Sequence, residues 1–442
     1  MLDTSNNLLN KNGTQSPSEG LQRADKGFSG ALKLLFMSRT DRMNKINRNI
    51  SEYKPTTISS FFDPSNGVYN SVVSGGDSNI RVNAAVAQAV CASQNNFPVI
   101  VLHESNLNLA QQMRSNFSST GRYFEVSPSS KCFEPFYQLD EFQIANQIIE
   151  TAPKDFDIKF SARYYIEGIG KYLNKSGKHL SFKMVSTCPH SILFDKVEEL
   201  RLQGKISDSE EQEIKSKLMM GQTENYKIDT FLATLQREID SVMYRPKTGH
   251  KPVNIISALK KKGILCLDIN SVSNKLFVST LISQLKLAST MGLRYTVIID
   301  SIPIDANEEY ATYMKAPSDK ICKMICTDDL YSMVGGDEKL FAAVVGNSQI
   351  SVIMNHRSGN SATKWAEVIG QYDRYDESYS TSTGGSREPF KLFETKNHQS
   401  GVSVSKNRAF IVQPEQITRM GQTEAYILTA ALGELAHLNF LG

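Results

Sequence analysis

The sequence predicts an α/β fold: a mostly parallel sheet flanked by helices, interrupted midway by an all-helical block. Three observations carry this expectation. Short apolar runs of strand length alternate with amphipathic stretches before residue 130 and after residue 263, the pattern of a parallel sheet. Between about 140 and 250 only the 3.6-residue period is present. The chain has 442 residues with 40% hydrophobic and 21% charged side chains, enough for a sizeable core and for more than one packed unit.

The elements follow in order. Residues 1–27 are rich in Ser, Asn, Gly and Gln and are expected to stay disordered, because they bury too little surface to offset chain entropy. From 28 to 54 the chain is apolar and basic, with Lys33, Arg39, Arg42, Lys45, Arg48 and Lys54 against Asp41 and Glu52. A helix is expected at 31–37. This stretch reads either as a solvated helix packed on the body or as a basic arm for DNA phosphates or an acidic partner.

The first strand–turn–helix unit is a strand at 68–73, the turn Ser74-Gly75-Gly76-Asp77-Ser78-Asn79 and a helix at 82–91. Strands at 99–102 and 123–126 flank a helix at 107–117. Helices are expected at 142–149, 160–173, 192–202 and 226–242, and Ser207 with Glu210 is a capping-box pattern that opens another. The α/β pattern resumes with a strand at 263–268, a helix at 275–290 and the apolar strand Tyr295-Thr-Val-Ile-Ile-Asp300. Further strands are expected at 323–326, 349–354 and 409–412, and the Gly/Ser-rich stretch 372–386 as a mobile loop. The domain division that results is a tail at 1–27, a first α/β part at 28–139, an all-α insertion at 140–250 and a second α/β part at 251–442.

Several function classes are disfavoured by composition. A net charge of +3 is too small to argue for nucleic-acid binding by itself. The six cysteines include no Cys-x-x-Cys pair, which fits reduced thiols in a cytosolic protein. Cys322 and Cys326 would stand one turn apart on a helix, but two ligands do not make a zinc site. No apolar run reaches the length of a membrane span, and the opening residues do not read as a signal peptide. The expectation is a cytoplasmic protein with no direct membrane insertion, brought to the inner face of the membrane by a partner.

Two segments sit where nucleotide chemistry would be. A phosphate loop needs glycines whose backbone N–H groups close around phosphate, a Lys for the β/γ-phosphates and a Ser/Thr for Mg²⁺. Gly75 and Gly76 are present, Arg81 is the nearby cation, and no Gly-Lys-Ser/Thr follows. The strand ending in Asp300 has the shape of a Walker B strand, which delivers a carboxylate to hold a Mg²⁺-bound water. Its neighbour is Ser301 where a second acid is usual; an Asp capping a strand end accounts for it equally. His103-Glu104, His250 and Asn355-His356-Arg357 have no partner at a triad-like or metal-like spacing and read as polar loop residues.

From about 65 to 435 the order of segments resembles the TraG/TraD family of type IV coupling proteins. Val99-Ile-Val-Leu-His-Glu-Ser-Asn106 stands where the family carries Asp-Pro-Lys-Gly-Glu, and Gly121 to Pro128 and Phe133-Glu-Pro-Phe136 resemble the passage that follows. Residues 325–335 and 346–354 are similar to its strand, helix and strand after Walker B. The most specific matches are 346–370, including Ser361-Ala-Thr-Lys-Trp-Ala-Glu-Val-Ile-Gly370, and Val402–Arg408 through Pro414-Glu-Gln-Ile417. The resemblance implies a RecA-like P-loop NTPase fold, with a helical insertion like the one the family uses for cargo.

The departures fall on catalytic positions: no Gly-Lys-Thr, His-Glu-Ser-Asn for Asp-Pro-Lys-Gly-Glu, Asp300-Ser301 for the acid pair, and Thr327 for the sensor Gln. Phosphoryl transfer depends on positioning and charge, so the implied protein is a pseudo-ATPase kept for assembly or DNA/protein substrate docking. ATP and Mg²⁺ stay open as ligands. Gly75, Gly76, Arg81 and Asp300 would line a remnant pocket, and Arg408 would be a subunit-interface cation. Implied partners are an active coupling ATPase paralogue or the secretion channel, a relaxase or DNA substrate, and further copies in a homo- or hetero-oligomer. Two other readings remain: a divergent ATP-driven DNA translocase using Arg81 for the lysine, and a non-catalytic nucleic-acid-binding or scaffold protein.

Overall fold

The computed structural model describes residues 38–178, 180–188, 190–246, 251–269, 275–304, 308–385, 396–429 and 434–441. The expected tail at 1–27, the helix at 31–37 and His250 lie outside these. The strands are β1 (Ile50–Glu52), β2 (Ser71–Ser74), β3 (Val99–His103), β4 (Tyr123–Val126), β5 (Ile264–Asp268), β6 (Tyr295–Asp300), β7 (Ile321–Thr327), β8 (Ile350–Met354), β9 (Gln371–Gly385), β10 (Lys396–Phe410), β11 (Glu424–Thr429) and β12 (Glu434–Asn439). Ten of them form one sheet in the order β1-β12-β11-β8-β2-β7-β6-β3-β5-β4. Within it only β11 runs antiparallel to its neighbours.

This is the α/β class expected from the sequence, a mostly parallel sheet flanked by helices. The sheet is buried on both faces, so its strands read as continuous apolar runs. Val72, Leu102, Val297 and Ile299 point into one core, and Val73, Val101 and Ile298 into the other, the period of two that a pleated strand imposes.

Helices cover both faces. α1 (Arg39–Arg48) precedes the sheet. α2 (Ser78–Gln94) follows β2, and α3 (Leu107–Phe117) follows β3. Both belong to the second core, with Ile58, Phe61 and Phe62 packed beside them. Between β4 and β5 come α4 (Glu141–Thr151), α5 (Lys159–Lys175), α6 (Phe182–Ser186), α7 (Leu193–Leu202), α8 (Asp208–Met220), α9 (Asn225–Ile239) and α10 (Ile255–Lys260). The capping box read at Ser207 is formed: its hydroxyl accepts the Glu210 N–H and the Glu210 carboxylate accepts the Ser207 N–H.

These helices share the first core with α11 (Lys275–Thr290). Gln147 donates to the Ser283 carbonyl at 3.2 Å, and the Glu238 carboxylate accepts the Leu276 and Phe277 N–H groups at the start of α11, where a negative charge is favoured. The remaining helices are α12 (Glu308–Lys315), α13 (Leu330–Met333), α14 (Glu338–Gly346), α15 (Gly359–Ile369) and α16 (Pro414–Arg419). Among the described residues no helix is long and apolar enough to cross a membrane.

Three expectations are corrected. The stretch read as a mobile loop at 372–386 is, as far as Gly385, a strand, β9, paired antiparallel along its length with β10. Its Tyr372, Tyr375, Tyr379 and Thr381 suit a pleated strand, and the Ser and Gly between them hid the signal. The strand placed at 409–412 is the last part of β10, which ends at Phe410. Cys322 and Cys326, read as one helical turn apart, lie on β7 and are buried. Of the basic stretch, the described part holds the helix α1 and the strand β1, and α1 rests on β9 through hydrogen bonds from Asn44 and Asn47 to the Tyr375 and Asp373 carbonyls.

Candidate functional site at the carboxyl edge of the sheet

Open α/β sheets bind ligands beyond the carboxyl ends of their parallel strands. At that edge β2 delivers Ser74, β3 His103, β5 Asp268, β6 Asp300 and β7 Thr327, while β8 leads into Asn355 and His356. The β2–α2 turn is the nucleotide candidate. Gly75 and Gly76 both take positive φ, +90° and +62°, which glycine alone adopts at little cost.

The turn is closed on this chain's own atoms. Gly75 N–H donates to the Thr327 carbonyl at 3.0 Å, Gly76 N–H to the Asn355 carbonyl at 2.9 Å and Asp77 N–H to the Gln422 carbonyl at 3.2 Å. A Cβ on Gly75 would stand 2.5 Å from the Asn355 oxygen, and one on Gly76 would stand 2.7 Å from Met354. Asp77 caps α2 by accepting the Asn79 N–H at 2.7 Å, which puts a carboxylate where a phosphate would need to bind. Arg81 sends one guanidinium nitrogen to the Gly75 and Gly76 carbonyls at 2.8 Å each. A phosphate cradle needs inward N–H groups and a cation facing the ligand; here those N–H groups are spent and the cation braces the turn. The residues present do not fit ATP–Mg²⁺.

Beneath the turn His356, read from sequence as a loop residue, is 1% exposed. Its Nδ1–H donates to the Met354 carbonyl at 2.7 Å, which leaves Nε2 to accept from Trp365 Nε1–H at 3.2 Å and from the Ser74 hydroxyl at 2.8 Å. Ser74 in turn accepts the Leu330 N–H at 3.1 Å. A serine on a histidine has the outline of a nucleophile and base, but Ser74 is 0% exposed, so no substrate reaches it. The group is a neutral lock under the turn, and burial holds the imidazole pKa below its ordinary value.

The other half of the edge is acidic. Asp300 is buried, and its Oδ2 accepts from Asn106 Nδ2 at 2.7 Å. Burial raises its pKa, while Asn106, His103 and Arg81 pull it back down. Asn106 caps α3 by accepting the Leu109 N–H, and its own N–H donates to His103 Nδ1 at 3.3 Å. Ser105, at φ +51°, donates its N–H to Asp268 at 2.9 Å. His103 is 2% exposed and lies 4.0 Å from Asp268. Burial lowers its pKa against the opposing pull of Asp268, Asp300 and Glu125.

Of the residues singled out from sequence, the structure brings Gly75, Gly76 and Arg81 into contact, with Asp300 in electrostatic reach of Arg81. Arg408 is elsewhere, exposed on β10 opposite Asp373. Sequence reasoning missed His103, Asn106, Asp268, His356 and Trp365. The available signal was positional: each of the two histidines ends or follows an apolar strand, where a side chain returns to the core.

No family model matches the chain, and no curated protein does. Among solved structures it is similar to the bacterial conjugative coupling protein TrwBdeltaN70 in an unbound monoclinic form, at 12% identity over 91% of each chain with a TM-score of 0.48. It is also similar to the plasmid coupling protein TrwB in complex with a non-hydrolysable ATP analogue, at 12% identity over 91% of this chain and 92% of that one, TM-score 0.49. VirB4 of Thermoanaerobacter pseudethanolicus matches at 8% identity over 84% and 89%, TM-score 0.44.

Proposed function

We propose that this chain is a coupling-protein-like pseudo-ATPase that keeps a RecA-like frame for assembly or substrate docking in a conjugative type IV secretion system. The observation that carries the loss of turnover is the closed β2–α2 turn, whose N–H groups at Gly75, Gly76 and Asp77 all end on protein carbonyls. The assignment to conjugation rests on the sequence resemblance at 346–370 and 402–417. In this reading the chain works at the cytoplasmic face beside an active coupling ATPase or the channel, and the helices at 140–250, which share a core with the α/β frame, face cargo.

Titration calorimetry with ATP and Mg²⁺ tests the nucleotide half. The expected result is no binding heat at submillimolar ATP and no phosphate release. Micromolar, Mg²⁺-dependent binding with turnover that Asp300→Asn abolishes would replace this reading with a divergent motor. Pull-down against the purified channel components and the coupling ATPase of the same element tests the docking half.

A further inference from the structure

The β9–β10 ribbon is the part of the fold that the edge chemistry does not use. Each strand has 15 residues, about 50 Å at the usual rise per residue. A lone two-stranded ribbon is marginal in water, so its edges and faces need cover. One edge has it. Asn44 of α1 donates to the Tyr375 carbonyl at 2.8 Å and accepts the Tyr375 N–H at 2.8 Å, and Asn47 donates to the Asp373 carbonyl.

Those bonds fix which backbone groups face outward. Tyr375 turns its N–H and C=O away from β10, so its partner Lys406 turns its own away from β9. By the period of two, Val402, Val404 and Arg408 do the same. Among the described residues no backbone group pairs with that side of β10. Beside this open edge Val402 is 60% exposed, Val404 57%, and Tyr379, directly opposite Val402, 71%. An open, apolar edge strand is a template for another strand.

We propose that the β10 edge pairs antiparallel with β10 of a second copy of this chain, about a two-fold axis at Ser403. In that register Val402 of each copy faces Val404 of the other, and Ser400 faces Lys406. Moving the axis to Asn407 would set Lys406 against Arg408, and like charges directly opposite are unfavourable. The edge is thus self-complementary about Ser403, as an isologous interface requires. The charge pattern argues against duplex DNA as the occupant: Lys406 is paired with Asp373 at 2.8 Å and Arg374 with Asp376 at 2.8 Å. This inference is independent of whether nucleotide binds.

Sedimentation velocity on the full chain across a concentration series tests it, with circular dichroism to confirm folding of each variant. The expected result is a reversible monomer–dimer equilibrium. Val404→Pro removes an outward N–H without touching the β9 ladder and should weaken the dimer roughly tenfold. Val402→Lys with Val404→Lys sets Lys against Lys at both contacts and should weaken it at least as much. Val402→Lys with Val404→Glu sets Lys against Glu at both and should restore association, a rescue that an axis at Val402 or Val404, which sets like residues against each other, does not give. Monomer at every concentration, a dimer indifferent to these substitutions, or association seen only on adding duplex DNA and lost with salt would each overturn the proposal. If the proline variant fails to fold, the Lys/Lys and Lys/Glu pair decides alone.

Discussion

The two halves of the sheet's carboxyl edge solve the problem of buried polar groups in opposite ways. Around β2, β7 and β8 the groups are neutral and satisfied: the turn N–H groups on carbonyls, His356 between Met354, Trp365 and Ser74. Around β3, β5 and β6 they are titratable, with Asp300, Asp268 and His103 gathered about Asn106. Burying a charge is costly unless it is paired and hydrogen-bonded. The difference teaches that the turn is a structural joint, whereas the acidic half holds ionisable groups without an open cradle beside it.

The largest effect that would break this contrast is expected at the turn. Gly75→Ala demands positive φ from an L side chain and drives a methyl against the Asn355 carbonyl. The expected loss is about 3 to 5 kcal/mol, read as a shift of the urea unfolding midpoint. A near-neutral Gly75→Ala would mean that the turn is open and free to move.

His356→Ala is next. It strands the Ser74 hydroxyl, the Trp365 N–H and the Met354 carbonyl and leaves a cavity, for an expected loss of about 2 to 4 kcal/mol. The corresponding change at His103, whose Nδ1 accepts one weak 3.3 Å bond, should cost less. Equal losses would erase the distinction between a satisfied lock and a charged cluster.

How much of this was legible in the sequence follows from the same physics. The strands β2 to β8, α11 and the capping box at Ser207 rest on local signals, namely apolar period and cap chemistry, and these appear close to where they are expected, whereas β1, β11 and β12 are strands the sequence reading does not place. The ribbon was read as loop because its strand signal is diluted by Ser and Gly, and its pairing to 396–410 is a long-range event. Gly75, Gly76 and Arg81 were legible as a group, but their role was not. Whether an N–H faces a ligand or the Asn355 carbonyl depends on a partner about 280 residues away, and no spacing rule encodes that. His103 and His356 were lost for the same reason, since burial is a tertiary property.

Acid titration separates the halves further. His103 and His356 both have pKa values held below the ordinary value of 6.5 by burial. A folded pKa below the unfolded one means that the unfolded chain binds the proton more readily. Stability from these groups is therefore complete above pH 6.5 and lost as pH falls below it, by up to about 1.4 kcal/mol per pH unit for each histidine. His356→Gln should flatten that slope more than His103→Gln, because Asp268, Asp300 and Glu125 favour the protonated form of His103 against burial alone, whereas at His356 the Arg81 cation adds to burial against the Met354 carbonyl, Asp329 and Asp328. Unfolding midpoints between pH 5 and 7 measure it, and identical slopes in the two variants would contradict it.

The smallest effect concerns Asp300. Its folded pKa is raised by burial, so its contribution falls as pH climbs from the ordinary carboxylate value through the raised one, and stays low above. Asp300→Asn removes the charge, while the new amide oxygen still accepts the Asn106 N–H. The variant should match the wild type in acid and be the more stable near neutrality, by about 1 kcal/mol or less, since Arg81 and His103 offset part of the burial cost. If Asp300→Asn instead destabilises at neutral pH, the carboxylate is held by its cations more strongly than burial opposes it. The acidic half would then be a paired network like the neutral half, satisfied by charge where the other is satisfied by hydrogen bonds.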